Sequence, residues 1–156
     1  MEIEISEVTN LDAEWKELVP LFRGLHDHHL TIMEGRLRED WERRQRAAIE
    51  DQFAAGEAVM MVAKSEGRVV GLVHGHITEH LVLEDRIGFV DHAYVLPEAR
   101  RQSVLSALLE RLERRFRELG ADGAQLYVVA GNAEATTAWK AKGYRVYMER
   151  MRKELD

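Results

Sequence analysis

Apolar and acidic residues alternate at the start of the chain, where Ile3, Ile5 and Val8 are spaced roughly as in a short strand. Asn10 can cap a helix. Behind it Trp15, Leu18, Phe22 and Leu25 recur at three- and four-residue steps and define one face of an amphipathic helix. Pro20 falls inside that pattern and is expected to kink or restart the helix. A second, mostly charged helical stretch runs from Arg38 to Ala55, with Trp41, Ala48, Ile49 and Phe53 as its anchors. The apolar run Ala58 to Ala63 reads as a buried strand. It turns through Ser65-Glu66-Gly67-Arg68, and Val69 to Ile77 returns beside it. Ile87 to Val95 is the next strand, ended by Pro97.

The most regular pattern follows. Val104, Leu105, Leu108, Leu109, Leu112, Phe116 and Leu119 form a single apolar stripe, and Gly120 is placed to end that helix. Leu126 to Val129 predicts a short strand, Asn132 caps a helix that runs to Lys142 and stops at Gly143, and the alternation of Tyr144, Val146 and Met148 predicts a final strand. The order β-α-α-β-β-β-α-β-α-β puts hairpins first and strand–helix–strand units second. It predicts an α/β (α+β) fold, a central mixed sheet with helices on both faces, in one domain over residues 1–156.

Composition narrows the function classes. No cysteine is present, which excludes disulfides and thiolate catalysis and fits a reducing, cytoplasmic setting. The N-terminal MEIEISEV has neither the basic nor the apolar region of a signal peptide, and no apolar run has the roughly 20 residues of a membrane helix. A formal net charge of −6 disfavours nucleic acid as a partner and mildly favours a cationic one, such as an amine.

Candidate chemistry concentrates between residues 95 and 109. There a strand ends, a loop carries Arg100 and Arg101, and a helix begins. A helix N-terminus offers unpaired amides and partial positive charge to phosphate oxygens, and the two guanidinium groups add full charges. An ordinary loop with solvated arginines is the alternative. The segment resembles the acetyl-CoA motif of the GNAT acyltransferases, a strand followed by V-x-P-x-x-R-x-x-G-x-G/A and a helix, through Val95, Pro97, Arg100 and Ala107-Leu108-Leu109. Asn132-Ala133-Glu134-Ala135 to Trp139-Lys140-Ala141-Lys142-Gly143-Tyr144 is similar to the family's N-x-x-A-x-x-x-Y-x-x-x-G-F segment, and Gly67 to Gly71 to its hairpin. The resemblance implies a GNAT-like fold and acetyl-CoA-dependent transfer to the primary amine of a small molecule. It implies a cofactor site formed by Tyr94, Val95, Arg100, Arg101, Gln102, Ser103, Val104, Leu105, Ser106, Asn132 and Trp139.

The chain departs from that pattern at three places. Ser103 and Leu105 stand where the family has its loop glycines, and Trp139 stands where many members have a proton-donating tyrosine. Indole cannot serve as that acid; Tyr94, Tyr144 and Tyr147 are the other donors within reach of the pattern. These departures favour a second reading, a degenerate module that binds CoA or another ligand without turnover. The base that accepts the amine's proton is expected on the strand before the loop, at Asp91 or His92. Strand alternation allows only one of these to face the cleft, and position prefers Asp91.

Seven histidines are a further feature. His26, His28 and His29 cluster beside Asp27, and His74 and His76 share one strand face. His26, His29 and His74 are expected to contact the acceptor, with Asp27 and Glu34 nearby. A histidine metal site is the competing reading, but no ligand spacing of a known site is present, so no metal is assigned. Only 13 residues follow Gly143, a short tail that suggests a sheet edge shared with a second copy in a homodimer.

Overall fold

The computed structural model describes residues 2–100 and 103–156. Five strands form one sheet in the order β1 (Glu4–Glu7), β2 (Ala58–Ser65), β3 (Arg68–Glu79), β4 (Arg86–Val95) and β5 (Gly123–Gln125). The first four are antiparallel neighbours, and β5 runs parallel to β4. Two helices, α1 (Leu11–His29) and α2 (Trp41–Ala54), connect β1 to β2, while α3 (Val104–Glu118) connects β4 to β5 and α4 (Ala133–Ala141) follows. The expected mixed sheet with helices on both faces is observed.

Two apolar layers hold these elements together. On one face Leu18, Leu21 and Phe22 of α1 and Ile49 of α2 pack on Met60, Val62 and Leu72. On the other, Val104, Leu108, Leu112 and Phe116 of α3 pack on Val59, Met61, Val73 and Val90. Asn10 caps α1 through its side-chain oxygen and the Ala13 amide, as its position predicts. Pro20, however, does not break α1, which is continuous through it. Pro20 lies on the solvent side, so its missing N–H and ring clash cost about 3 kcal/mol. Leu18, Leu21 and Phe22 are each at most 2% exposed and each contribute about 1.5–3 kcal/mol of burial, which outweighs that cost. In α2, Ala48 is exposed rather than an anchor, and Ile49 is the helix's buried residue.

The C-terminal part differs most from its pattern. The fifth strand forms at Gly123–Gln125, ahead of the expected Leu126–Val129. No strand follows α4 among the described residues: Val146 and Met148 are 62% and 78% exposed despite their alternation. A strand needs a neighbouring edge for its backbone groups. Here β5 pairs with β4 for only three residues and offers a very short edge.

The position of α3 is set by a pit in the sheet. A Cβ added to Gly88 would lie 2.2 Å from Phe116 Cδ2, and one added to Gly75 would lie 2.5 Å from Phe116 Cζ. The Phe116 ring thus rests on bare backbone of β3 and β4. Gly88→Ala is expected to overpack this contact and destabilise the protein by about 2–3 kcal/mol. Combining it with Phe116→Leu should recover part of the loss, and urea unfolding of the three variants measures both effects.

Candidate functional site

The site begins with one extra residue in β4. Tyr94 opposes Leu72, Ala93 opposes Val73 and His92 opposes His74, but Val90 then opposes Gly75, so Asp91 is left without a partner. A bulge of this kind interrupts strand alternation. As a result Asp91 and His92 both reach the α1–α2 face. Asp91 meets His76, and the His92 ring stacks edge-on against Phe22 at 5.2 Å. Tyr94 lies on the same face, where its hydroxyl fills the space that a Cβ on Gly24 would need. The expectation that only one of the adjacent pair could turn this way fails because it assumed an unbroken ladder.

Behind the bulge a hydrogen-bonded chain crosses from α1 to the sheet. His26 Nε2 lies 2.6 Å from Gln45 Oε1, Gln45 Nε2 lies 3.4 Å from His92 Nε2, His92 Nδ1 lies 3.0 Å from His74 Nδ1, and His74 Nε2 lies 2.7 Å from Gln52 Oε1. The His74 and His92 ring planes differ by 17° and their centres are 5.2 Å apart, so the facing nitrogens place the rings end to end. Amide oxygens accept and amide nitrogens donate. Each link then has one donor and one acceptor only if His92 is protonated at Nδ1, His74 at Nε2, and neither carries a second proton. Burial also favours the neutral forms: it holds His92 down at about 4, and His74 well below its usual value, with His92 adding repulsion.

The three histidines expected to contact the acceptor lie at different depths. His74 is 1% exposed and faces Gln52 and His92 rather than an open cleft. His26 is half-buried, bound to Gln45 and packed on Trp41. His29 is half-buried at the end of α1, with its proton affinity lowered by burial and then by His28 and His26. Asp27 pairs with Arg23 on the outer face of α1, and Glu34 is exposed in the following loop. Gln45 and Gln52 carried no recognisable sequence signal, because two amides on a charged helix read as solvated positions.

Beside the chain, His76 Nδ1 lies 2.6 Å from Asp91 Oδ2. Hydrogen bonding to that carboxylate raises the affinity of His76 for its proton, against partial burial. Among the described residues no group of three or more histidine or carboxylate side chains is arranged to hold a metal ion.

On the next edge, β4 and β5 part. Their pairing covers Ile87↔Gly123, Gly88↔Ala124 and Phe89↔Gln125 and stops there. The Leu96 amide donates to Val70 of β3, so by the alternation of an antiparallel ladder the Ala93 and Val95 amides point away from β3, towards the side that β5 leaves open. The Val95 carbonyl there accepts from Arg100 Nε at 3.0 Å, and the Arg100 guanidinium lies over the Tyr94 ring.

Beyond the turn Pro97–Ala99, α3 starts at Val104. Ser103 precedes it with φ of 58° and makes no side-chain cap. Among the described residues nothing accepts from the Val104, Leu105 or Ser106 amides. Val104 is buried, and Leu105 packs against the core beside it. Ser106 is exposed and accepts from Lys142 Nζ at 2.7 Å, which brings to this terminus a cation that the sequence did not single out. Arg101 and Gln102 lie outside the described residues.

The α4 candidates have structural contacts of their own. Asn132 caps α4 through the Ala135 amide, and Trp139 packs on the α3 layer and edge-on to Tyr144. Tyr144 donates to Glu113, and burial together with that carboxylate pushes its hydroxyl far above the usual tyrosine range. A cavity of about 460 Å³ lies along the C-terminal half of α3, lined by Glu113, Arg117, Gly123, Lys142 and Tyr147 and by neither Ser103 nor Asp91. No described helix is long and apolar enough to cross a membrane.

Comparison with known proteins places this geometry. The model of the Acetyltransferase (GNAT) family matches residues 22–144. The aminoalkylphosphonate N-acetyltransferase of Salmonella typhimurium is 30% identical over 102 residues, a match spanning 63% of this chain and 66% of that protein. A predicted acetyltransferase from Clostridium acetobutylicum, solved with acetyl-CoA, superposes with a TM-score of 0.79 at 13% identity, covering 98% of this chain and 96% of the other. An aminoglycoside acetyltransferase from an uncultured soil metagenomic sample superposes at 0.73 and 17% identity, covering all of both chains. At these identities the structural likeness establishes the fold.

The neutral histidine chain has a consequence for stability. A folded-state value of about 4 for His92, below the unfolded 6.5, means that the unfolded chain binds the extra proton first. Stability from this group is therefore complete above pH 6.5 and is lost as pH falls towards 4, by roughly 2–3 kcal/mol. His92→Gln should melt with a smaller drop over that interval than the unsubstituted protein, as followed by circular dichroism.

Proposed function

Because the chain belongs to the GNAT acetyltransferase family, we propose that it transfers an acetyl group from acetyl-CoA directly to a primary amine of a small molecule. The observation that carries this reading is the parting of β4 from β5 beyond Phe89 and Gln125, with the uncapped start of α3 at the mouth of the gap. The gap suits a thin, extended arm, and the helix terminus suits a diphosphate.

The donor supplies an activated thioester; the chain supplies the rest. Val104, Leu105 and Ser106 offer amides to phosphate oxygens, with Arg100 preceding them in the chain and Lys142 bonded to Ser106; Arg101 and Gln102, expected to join them, lie outside the described residues. The amides of Ala93 and Val95 are the donors for the oxygen that gains charge as the amine adds. Asp91, His92 and Tyr94 line the acceptor face of the same strand, and Trp139 is a packing surface rather than a proton donor.

Ser103 explains how the loop works without its glycine. Its left-handed backbone is the conformation that glycine adopts without penalty, so the loop keeps its course at a cost of about 1–2 kcal/mol. Leu105 turns towards the core, which leaves its amide side open. This favours an active enzyme over a degenerate binding module. A small acceptor is supported by the aminoalkylphosphonate and aminoglycoside enzymes to which the chain is similar. The bare edge of β5 and the exposed Val146, Tyr147 and Met148 favour a homodimer; sedimentation equilibrium that returns a monomer at micromolar concentration removes that element.

Acetyl-CoA should raise the melting temperature in proportion to the logarithm of its concentration, and thiol release should appear with aminoalkylphosphonates or other small primary amines. Ser103→Gly should stabilise the free protein by about 1 kcal/mol and leave or improve acetyl-CoA affinity, as measured by melting and calorimetry. Stabilisation by acetyl-CoA without thiol release from any amine would return the binding-module reading. No stabilisation at all would end both.

A further inference from the structure

His76 was not among the expected site residues, yet it has the features of a positioned base. Its Nδ1 is held by the Asp91 carboxylate at 2.6 Å. That contact makes Nδ1 the protonated nitrogen and leaves the Nε2 lone pair of the neutral ring free. Among the described residues Nε2 has no hydrogen-bond partner. The His76 side chain is 24% exposed, whereas His74, two residues along the same face, is 1% exposed and bonded at both nitrogens.

Position adds a second, independent argument. His76 lies directly across the ladder from Phe89, the last β4 residue paired with β5. It therefore stands where the two strands begin to part. The bulge then turns Asp91 back towards it, a contact that strict alternation with His92 would have denied to one of the two. Two residues beyond Asp91, the Ala93 amide points into the gap. The irregularity thus joins the candidate base to its orienting carboxylate, two residues before the Ala93 amide on the same strand.

We infer that His76 Nε2 takes the proton of the attacking amine, with Asp91 as the positioning residue that fixes its tautomer; this inference rests on the acetyl-transfer reading above. The amine nitrogen's lone pair forms the bond to the acetyl carbon. The carbon–sulfur bond breaks with its electron pair going to sulfur, and the amine's proton ends on Nε2, from which water carries it away. His92 is unsuited to this task, because both of its nitrogens are engaged in the chain to Gln45 and His74. Asp91 Oδ2 is engaged by His76 Nδ1, so the base is assigned to the residue that the carboxylate holds rather than to the carboxylate that position preferred.

The test combines kinetics with titration of the free enzyme. The charged or titratable groups facing His76 are Asp91 on β4, Glu57 ahead of β2 and His74 on its own strand. The negative charges keep its proton affinity above the ordinary histidine value. Activity therefore falls as pH drops through that raised value, since the base must be neutral to act. With an accepted amine, His76→Gln should lower kcat about 100-fold while the KM for acetyl-CoA stays within about twofold. In Asp91→Asn the acid limb of kcat/KM should move down by about one unit, in step with the His76 imidazole titration read by nitrogen-15 NMR on the free protein.

A merely structural role would lower kcat without moving that limb. Full kcat in a folded His76→Gln protein, or a limb that stays put while the NMR titration shifts, overturns the inference and leaves acetyl transfer standing. Absence of turnover in the unsubstituted enzyme overturns the acetyl-transfer reading, and this inference with it.

Discussion

A β-bulge in the fourth strand is the constraint on which the rest of the site depends. With Asp91 unpartnered, the strand presents Asp91, His92 and Tyr94 to the same helical layer. A regular ladder would have turned one of the adjacent pair Asp91 and His92 to the α3 side. The polar face therefore follows from the bulge, and the gap opens beside it where the pairing with β5 ends after Phe89.

Rigidity around that irregularity comes from both faces of the sheet. On one, Phe116 sits on Gly75, just past the register shift in β3, and on Gly88, three residues ahead of Asp91 in β4, which fixes α3 against the sheet beside the bulge. On the other, α2 has one buried apolar residue, Ile49, and is joined to the sheet by polar links through Gln45 and Gln52. Such links contribute little net energy when complete but cost much if one donor is left unpaired. This helix is thus anchored by Ile49, with Trp41 and Phe53 packed beside it, and its register is fixed by the polar links.

The departures from the family's pattern become intelligible as substitutions that keep a shape. Ser103 adopts the backbone conformation of a glycine and bears its cost. Leu105 finds apolar neighbours, and Trp139 does the same. What is retained is the course of the backbone around the gap, which depends little on side-chain identity.

Much of this protein was legible in its sequence. Among the described residues, periodicity located eight of the nine strands and α-helices close to their observed bounds, helped most where an apolar face is buried, as in α1, α3 and β2 to β4. The loop between Val95 and Val104 was visible through its spacing, and the family followed from it. The failures have a common origin. The absence of a restart of α1 at Pro20, the absence of a strand after Gly143 among the described residues, the shared face of Asp91 and His92, and the pairing of His76 with Asp91 all depend on what lies opposite a residue in space. A sequence states each residue's own preference; whether a helix outlasts its proline, a strand finds an edge, or an extra residue is tucked into a ladder is decided by neighbours many positions away, and only the packed structure contains them.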